Sequence, residues 1–495
     1  MQALVINKED VVAEALEKID AKSKVYLHNF GEIEVLEDIP RGHKFSIYDL
    51  KAGDMIIKYG NPIGYAKCDI KKGSHVHTQN VKTNLGGKSD YSYQKQASPD
   101  LKIVSRTFDG YVRTDGSVGI RNELWIIPTV FCVNQIAREL EQYAKDKLGN
   151  YENVDGALAL CHPFGCSQMG EDQETTRKIL ACLSHHQNAG AVLFLGLGCE
   201  NSNIEVIKKY LDLDDDRLAF LNTQDVEDEL DAGFALVDKL LEKANLSTRS
   251  TVPLSKLRIG LKCGGSDGLS GITANPLIGR VSDLVVAAGG TSVMTEVPEM
   301  FGAEQLLMNR AKDENVFLKT VDLINNFKQY FISHGETVSE NPSPGNKAGG
   351  ITTLEDKSLG CVQKGGKSIV SDVISYGERI KNSGLNLLQG PGSDGVSCSA
   401  LAACGCDLIL FSTGRGTPFA TVIPTIKIST NTDLYKRKGG NWIDFNAGEI
   451  VEGKDIDELA LELLDYIISV ASGKETASEK RGFHELLIWK DGVTL

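Results

Sequence analysis

The stretch "GSHVHTQN" sets His75 and His77 two residues apart just after a glycine turn, in a chain with nine histidines among 495 residues. On a strand, residues i and i+2 share a face, so this spacing presents two imidazoles side by side to one divalent metal. A third histidine, His43, stands in "RGHKFSI" between Arg41 and Lys44, and "DMIIKYG" ends on Lys58 and Tyr59. All of them fall at glycine-bounded strand ends, where side chains from different strands can converge. Such a group can bind a metal, a carboxylate and a proton in one place. Glu296, in "TEVPEMFGAE", directly follows an apolar run and offers a carboxylate to complete a metal shell. The expected metal ligands are therefore His75, His77 and Glu296. His43, Lys58 and Tyr59 are the expected catalytic residues, and Arg41 and Lys44 are expected to bind substrate.

Other candidate substrate contacts lie far along the chain. "GSDG" occurs twice, giving Asp267 and Asp394 beside backbone amides able to nest an anion. "STGRGTP" adds Arg415, a planar fork suited to a carboxylate. Lys347 falls in "NPSPGNKAGGITTLEDKSLG", residues 341–360, which lacks apolar periodicity but supplies Thr352, Thr353, Glu355, Asp356 and Lys357 in quick succession. Long irregular loops in compact domains are often functional, and this one reads as an active-site loop. No phosphate-binding P-loop, nucleophile elbow or helix-opening G-x-G-x-x-G is present. The inventory suits proton abstraction beside a carboxylate, assisted by a metal that stabilises the enediolate, followed by loss of a hydroxyl to a general acid.

The elements that must position these residues fall into an α/β pattern. Residues 1–95 read as a small domain of short strands and turns with one early helix, and 84–100 as the linker leaving it. Residues 101–250 form a second, α/β domain and 251–495 a C-terminal α/β domain. Within the latter, 258–300 and 386–426 repeat one grammar: strand, Gly-Ser-Asp-Gly, helix, Asp-led apolar strand, glycine turn. Repeated βα units of a parallel sheet gather their loops at the strand C-terminal ends, where ligands sit.

Composition excludes whole classes of function. A net charge of −14 argues against nucleic acid or an anionic membrane as partner. No apolar run approaches the ~20 residues that span a bilayer, and the acidic, amphipathic N-terminus is unlike a signal peptide. The chain reads as cytoplasmic, its partner a small molecule; homo-oligomerisation is left open. Eleven cysteines in that setting are expected to be thiols. Cys161, Cys166, Cys199 and Cys263 keep an iron–sulfur cluster open as the rival to a mononuclear metal, although paired C-x-x-C spacing is absent.

Taken together, "RGHKFSI", "IIKYGNPIGYA", "GSHVHTQN", "GSVGIRNELWIIPTV", "GLGCEN", "CGGSDGLSGITANP", "TEVPEMFGAE", "NPSPGNKAGGITTLEDKSLGC", "FSTGRGTP" and "PTIKIST" resemble the altronate/galactarate dehydratase family, from near residue 38 to the C-terminal "GVTL". The wider family includes a two-subunit sulfolactate sulfo-lyase whose small subunit resembles residues 1–90. The resemblance implies an N-terminal β-clip of the SAF type and a hydro-lyase converting D-altronate to 2-dehydro-3-deoxy-D-gluconate and water. By the chemistry above, that reaction would remove the C2 proton and the 3-hydroxyl. It also implies dependence on Fe2+ or Mn2+. Galactarate or another sugar acid is the alternative substrate, and an iron–sulfur hydro-lyase the alternative mechanism.

Overall fold

The computed structural model describes residues 2–495 as a mixed α/β chain. In the N-terminal region, strands Ala3–Leu4, Val12–Ala15, Lys44–Ser46 and His75–Val76 form an antiparallel sheet in that order. A hairpin (Lys24–Leu27 with Gly31–Glu34) and a three-stranded antiparallel sheet (Met55–Lys58, Asn61–Ala66, Val81–Lys82) complete it. The early helix expected there is absent. Val12–Ala15 is a strand with all four residues buried, because its pairing on Lys44–Ser46 overrides the helical appearance of the acidic, amphipathic segment.

The middle region holds a parallel sheet ordered Gly156–Ala159, Glu123–Pro128, Ala189–Gly196, Leu218–Asn222. The helices Asn134–Lys147 and Glu229–Ala244 lie against it. The C-terminal region is built on seven parallel strands. Their order is Val370–Ile374, Gly384–Leu388, Thr291–Met294, Arg258–Cys263, Leu408–Thr413, Thr425–Ser429, Phe445–Asn446. The two repeated units interleave at its centre: strand 384–388 pairs with 291–294, and 408–413 with 258–263. Their strands are buried almost throughout and mostly apolar, as expected of a sheet covered on both faces, with Lys262 the exception.

Residues 84–100 are not a free linker. Tyr91 donates to Glu304 Oε1 (2.6 Å), Tyr93 donates to the Ala311 carbonyl (2.6 Å) and stacks on Phe317, and Lys95 reaches the Lys312 carbonyl. The tyrosines bind this aperiodic segment to the C-terminal region as an extended strap. The N-terminal region is likewise joined to that region: Ile56, Ile63, Val76 and Val81 share one apolar core with Leu277, Phe301, Leu354 and Leu359.

Candidate active site

The seam between the N-terminal and C-terminal regions collects the polar groups. His43, on the turn before strand Lys44–Ser46, meets His75 and His77 from the neighbouring strand: His43 Nδ1 lies 3.0 Å from His75 Nε2. The His75 and His77 rings stack at 5.6 Å, and His43 sits 4.9 Å from His77, centroid to centroid. His77 Nδ1 is 3.0 Å from Thr352 Oγ1, and His43 Nε2 is 3.3 Å from the Ala348 carbonyl. Burial, reinforced by neighbouring positive charge, pulls His75 down to about 4 and His77 to about 3, and burial also lowers His43. At neutral pH all three rings are uncharged.

Beside the imidazoles runs a buried ionic array. Lys44 Nζ donates to Thr352 Oγ1 (2.7 Å) and the Gly350 carbonyl (2.8 Å) and pairs with Asp356 Oδ2 (2.9 Å). Lys58 pairs with Asp356 Oδ1 (3.1 Å) and with Glu14 Oε2 (2.7 Å). Burial alone would raise the Asp356 carboxyl, but Lys44 and Lys58 override it and hold it well below the usual carboxylate range. Burial raises Glu14 and lowers Lys44. Against its burial, Lys58 is pushed well above an ordinary lysine by Asp356 and Glu14. Tyr59 and Gly60 form the two-residue turn between strands Met55–Lys58 and Asn61–Ala66, both with positive φ as a primed hairpin turn requires. Burial keeps the Tyr59 phenol protonated far above its ordinary range.

The segment 341–360 is the other wall of the seam, and it is more ordered than an irregular loop. Ser343 caps a helix Pro344–Ala348 with a reciprocal bond from Asn346, and Thr353 caps a second helix, Leu354–Cys361. Behind these helices lies a second polar cluster. Glu296, left-handed at φ 70°, is fully buried, with one carboxylate oxygen on Lys262 and the other on Lys364 (2.6 Å) and the Cys263 amide (3.0 Å). Glu299 pairs with Lys357 (2.7 Å) and accepts from Cys361. Cys263 Sγ lies 2.7 Å from Ser266 Oγ. A cleft of about 540 Å3 opens on this cluster, with Asn346, Lys347, Lys357 and Asp394 on its walls.

Of the residues singled out in the sequence, His43, Lys44, Lys58, His75 and His77 come together with Tyr59 next to them. Glu296 does not join the histidines, since both its oxygens are held by lysines and a backbone amide. Lys347 and Asp394 line the cleft, and Asp394 also pairs with Lys262 (2.8 Å). Asp267 accepts from Ser270 (3.1 Å) and Thr430 (3.0 Å), so its carboxylate is engaged in holding its own turn. Arg41 pairs with Asp433 at the margin, and Arg415 is exposed, with a 3.5 Å contact to the Gly345 carbonyl. Sequence reasoning missed Glu14, Lys262 and Lys364, noted Glu299 only as a carboxylate beside a glycine turn, and named Asp356 only as a loop residue. Lys262 carried a signal, a lysine inside an otherwise apolar strand; Lys364 carried none. Among the described residues no group of three or more His, Cys, Asp or Glu stands as a ready-made metal-ligand set. Cys263 bonds within the C-terminal region, whereas Cys161 and Cys199 contact Asn134 and Gln224 in the middle region.

Three family descriptions match in succession: the altronate/galactarate dehydratase SAF domain over residues 1–84, the D-galactarate dehydratase/altronate hydrolase second domain over 110–245, and the D-galactarate/altronate dehydratase C-terminal domain over 254–494. Altronate dehydratase of Bacillus subtilis is 53% identical over 494 residues, 99% of each chain. Altronate dehydratase of Escherichia coli is 50% identical over the full length of both chains. Galactarate dehydratase (L-threo-forming) of Escherichia coli is 35% identical, covering 92% of this chain and 90% of its own. With all three family regions present in order and full-length relatives at half identity, the chain belongs to the D-galactarate/altronate dehydratase family.

Proposed function

We propose that this chain is an altronate dehydratase, a hydro-lyase that removes the C2 proton and 3-hydroxyl of altronate to give a 2-keto-3-deoxy acid, and that the seam is its active site. The observation that carries the reading is the convergence of three neutral imidazoles with a buried Lys44–Asp356–Lys58 array. Altronate is preferred to galactarate because the altronate dehydratases are 50–53% identical and the galactarate dehydratase 35%.

The donor chemistry fits a divalent metal of the iron or manganese kind, because neutral imidazole is its ligating form. His75 and His77 would hold it, and their present bonds to His43 and Thr352 are ones that a metal would replace. When bound, such an ion supplies Lewis-acid polarisation of a carboxylate and its adjoining hydroxyl. The chain's own groups divide the remaining work. His43, buried and uncharged, moves a proton at Nε2. Lys58 stays cationic and stabilises developing enediolate charge rather than acting as a base. Tyr59, held protonated by burial, offers its hydroxyl hydrogen to the departing hydroxyl as a hydrogen-bond donor. Lys347 and Lys357 on the cleft wall attract the anionic substrate.

The test is dialysis of the full chain against a chelator, followed by assay with altronate. Activity is expected to vanish and to return with Fe2+ or Mn2+. Full turnover in excess EDTA would overturn the metal-assisted reading, and a preference for galactarate would overturn the substrate.

A further inference from the structure

A hollow of about 340 Å3 lies on the opposite side of Tyr59 from the buried ionic array, between the N-terminal region and the helix Ala274–Ala287. Its lining includes three cations, Arg280, Arg310 and Lys367, and no carboxylate. That is unusual in a chain of net charge −14. Arg310 is anchored by backbone alone, through Nε to the Ser368 carbonyl (2.9 Å) and Nη2 to the Gly365 carbonyl (2.7 Å). Neither the Arg310 guanidinium nor the Lys367 ammonium forms an ion pair within 4 Å among the described residues, Asp283 meeting Lys367 only at its backbone amide, and Arg280 is paired only through Nε, to the exposed Asp457. Burial pulls the Arg310 guanidinium down to about 10, partly offset by the nearby charge of Asp283, so it stays cationic.

Among the apolar residues of the wall (Ile6, Pro276, Leu306, Leu359, Val362) stand three half-satisfied amides. Asn7 accepts from the Glu9 amide, Asn61 donates to the Tyr59 carbonyl, and Gln363 donates to the Gly271 carbonyl. Each thereby keeps the other half of its amide free for a hydroxyl group. The adjoining hollow, about 230 Å3, carries both signs, with Asp100, Asp283, Asp457 and Lys102 on its wall, and Arg280 and Lys367 line both hollows. Asp283 is spent on the backbone amides of Lys367 and Ser368.

We infer that the cationic hollow is a binding site for a small phosphorylated polyol, its phosphate held by Arg280, Arg310 and Lys367 and its hydroxyls by the three amides. The uncommitted guanidinium N–H groups of Arg280 and Arg310 and the Lys367 ammonium supply positive donors for a tetrahedral dianion. The site is separate from the substrate cleft, and Tyr59 on its wall adjoins Lys58, which gives a bound ligand a direct contact with the ionic array.

Calorimetric titration of the full-length protein tests this, with 6-phosphogluconate as probe and gluconate and inorganic phosphate as comparisons. Saturable binding of 6-phosphogluconate is expected, undiminished by altronate, with gluconate weaker by about tenfold or more. The double variant Arg280→Gln, Lys367→Gln, whose side chains reach the surface, should keep its melting temperature and turnover but bind about tenfold or more weakly, because each lost contact is a charge-assisted one. The inference is overturned if the wild type shows no saturable binding, if altronate displaces the probe, if gluconate binds as well as its phosphate ester, or if the double variant binds unchanged. Should the double variant fail to fold, titration of the wild type with and without altronate still decides the matter.

Discussion

Asp356 is the residue on which the seam depends most. Both its oxygens are taken by buried ammonium groups, Lys44 and Lys58, and Oδ2 also accepts the Thr352 amide. Neutralising it leaves two ammonium groups in a low-dielectric interior with Glu14 alone to offset them. Asp356→Asn should therefore lose about 3–5 kcal/mol of stability, as removal of one partner from a buried pair does, and should lose turnover with it. Urea unfolding and an altronate assay on the same preparation check both. His75→Ala and His77→Ala remove little core volume, so each should fold, lose metal affinity by about tenfold or more and lose activity. Metal analysis of the purified variants decides: one metal per chain at wild-type affinity in both would place the ion elsewhere. His43→Gln separates the two possible duties of His43, with turnover falling while bound metal is kept if the ring moves a proton. The imidazoles and lysines were legible in the sequence because strand ends beside glycine turns announce themselves. Asp356 was not legible as the partner of Lys58, because 298 residues separate them and no local pattern encodes such a pairing.

At the scale of elements, three glycine turns let the seam close. A Cβ on Gly350, whose φ is +103°, would stand 1.7 Å from the Gly42 carbonyl oxygen, and one on Gly268 would stand 1.9 Å from the same atom. Gly268 also donates its amide to the Gly349 carbonyl. The turn before His43, the turn after strand Arg258–Cys263 and the segment carrying Thr352 thus meet backbone to backbone. Gly350→Ala should push His43 away from Thr352 and abolish most turnover while leaving the two parallel sheets intact. Circular dichroism unchanged beside an assay reduced at least about tenfold is the expected pair of results; an active variant would show that the close approach is dispensable. The glycine clusters and the repeated Gly-Ser-Asp-Gly units pointed to this junction. The two short helices in 341–360 escaped notice because they are too brief for periodicity, although Ser343-Pro344 and Thr353 carried the cap signals. The supposed early helix failed for the converse reason, a local pattern outvoted by sheet pairing.

For the whole molecule, the question is how independent the regions are. The N-terminal region has a core of its own around Ala13, Val25, Val35 and Phe45, but it also completes the apolar core of the C-terminal region. Removing residues 1–100 should therefore abolish activity and also expose Leu354 and Leu359, lowering the melting temperature and promoting aggregation; a monomeric, fully stable 101–495 fragment would contradict the shared core. The contact between the middle and C-terminal regions carries a pH signature. Burial raises Glu123, which accepts from the Trp125 indole, to about 7, and raises Asp407, which accepts from Gln187 of the middle region, to about 7. Both carboxyls hold their protons in the folded chain up to near neutrality and release them near pH 4 once unfolded. Between those values these two carboxyls bind more protons folded than unfolded, so their contribution to stability falls as pH rises from about 4 to about 7. His75 and His77, held at about 4 and about 3 in the folded chain, contribute with the opposite sign up to the ordinary imidazole range. Below pH 4 the opposite sign takes over, since Asp356 and Glu299, the latter held at about 2 by Lys357 against its burial, must be protonated on unfolding. Glu123→Gln and Asp407→Asn, which keep the shape and remove the titration, isolate the carboxyl contribution: the urea midpoint of the wild type relative to each variant should fall from pH 5 to pH 7.5. A difference that stays constant across that interval would show that these two carboxyls are ionised in the folded protein.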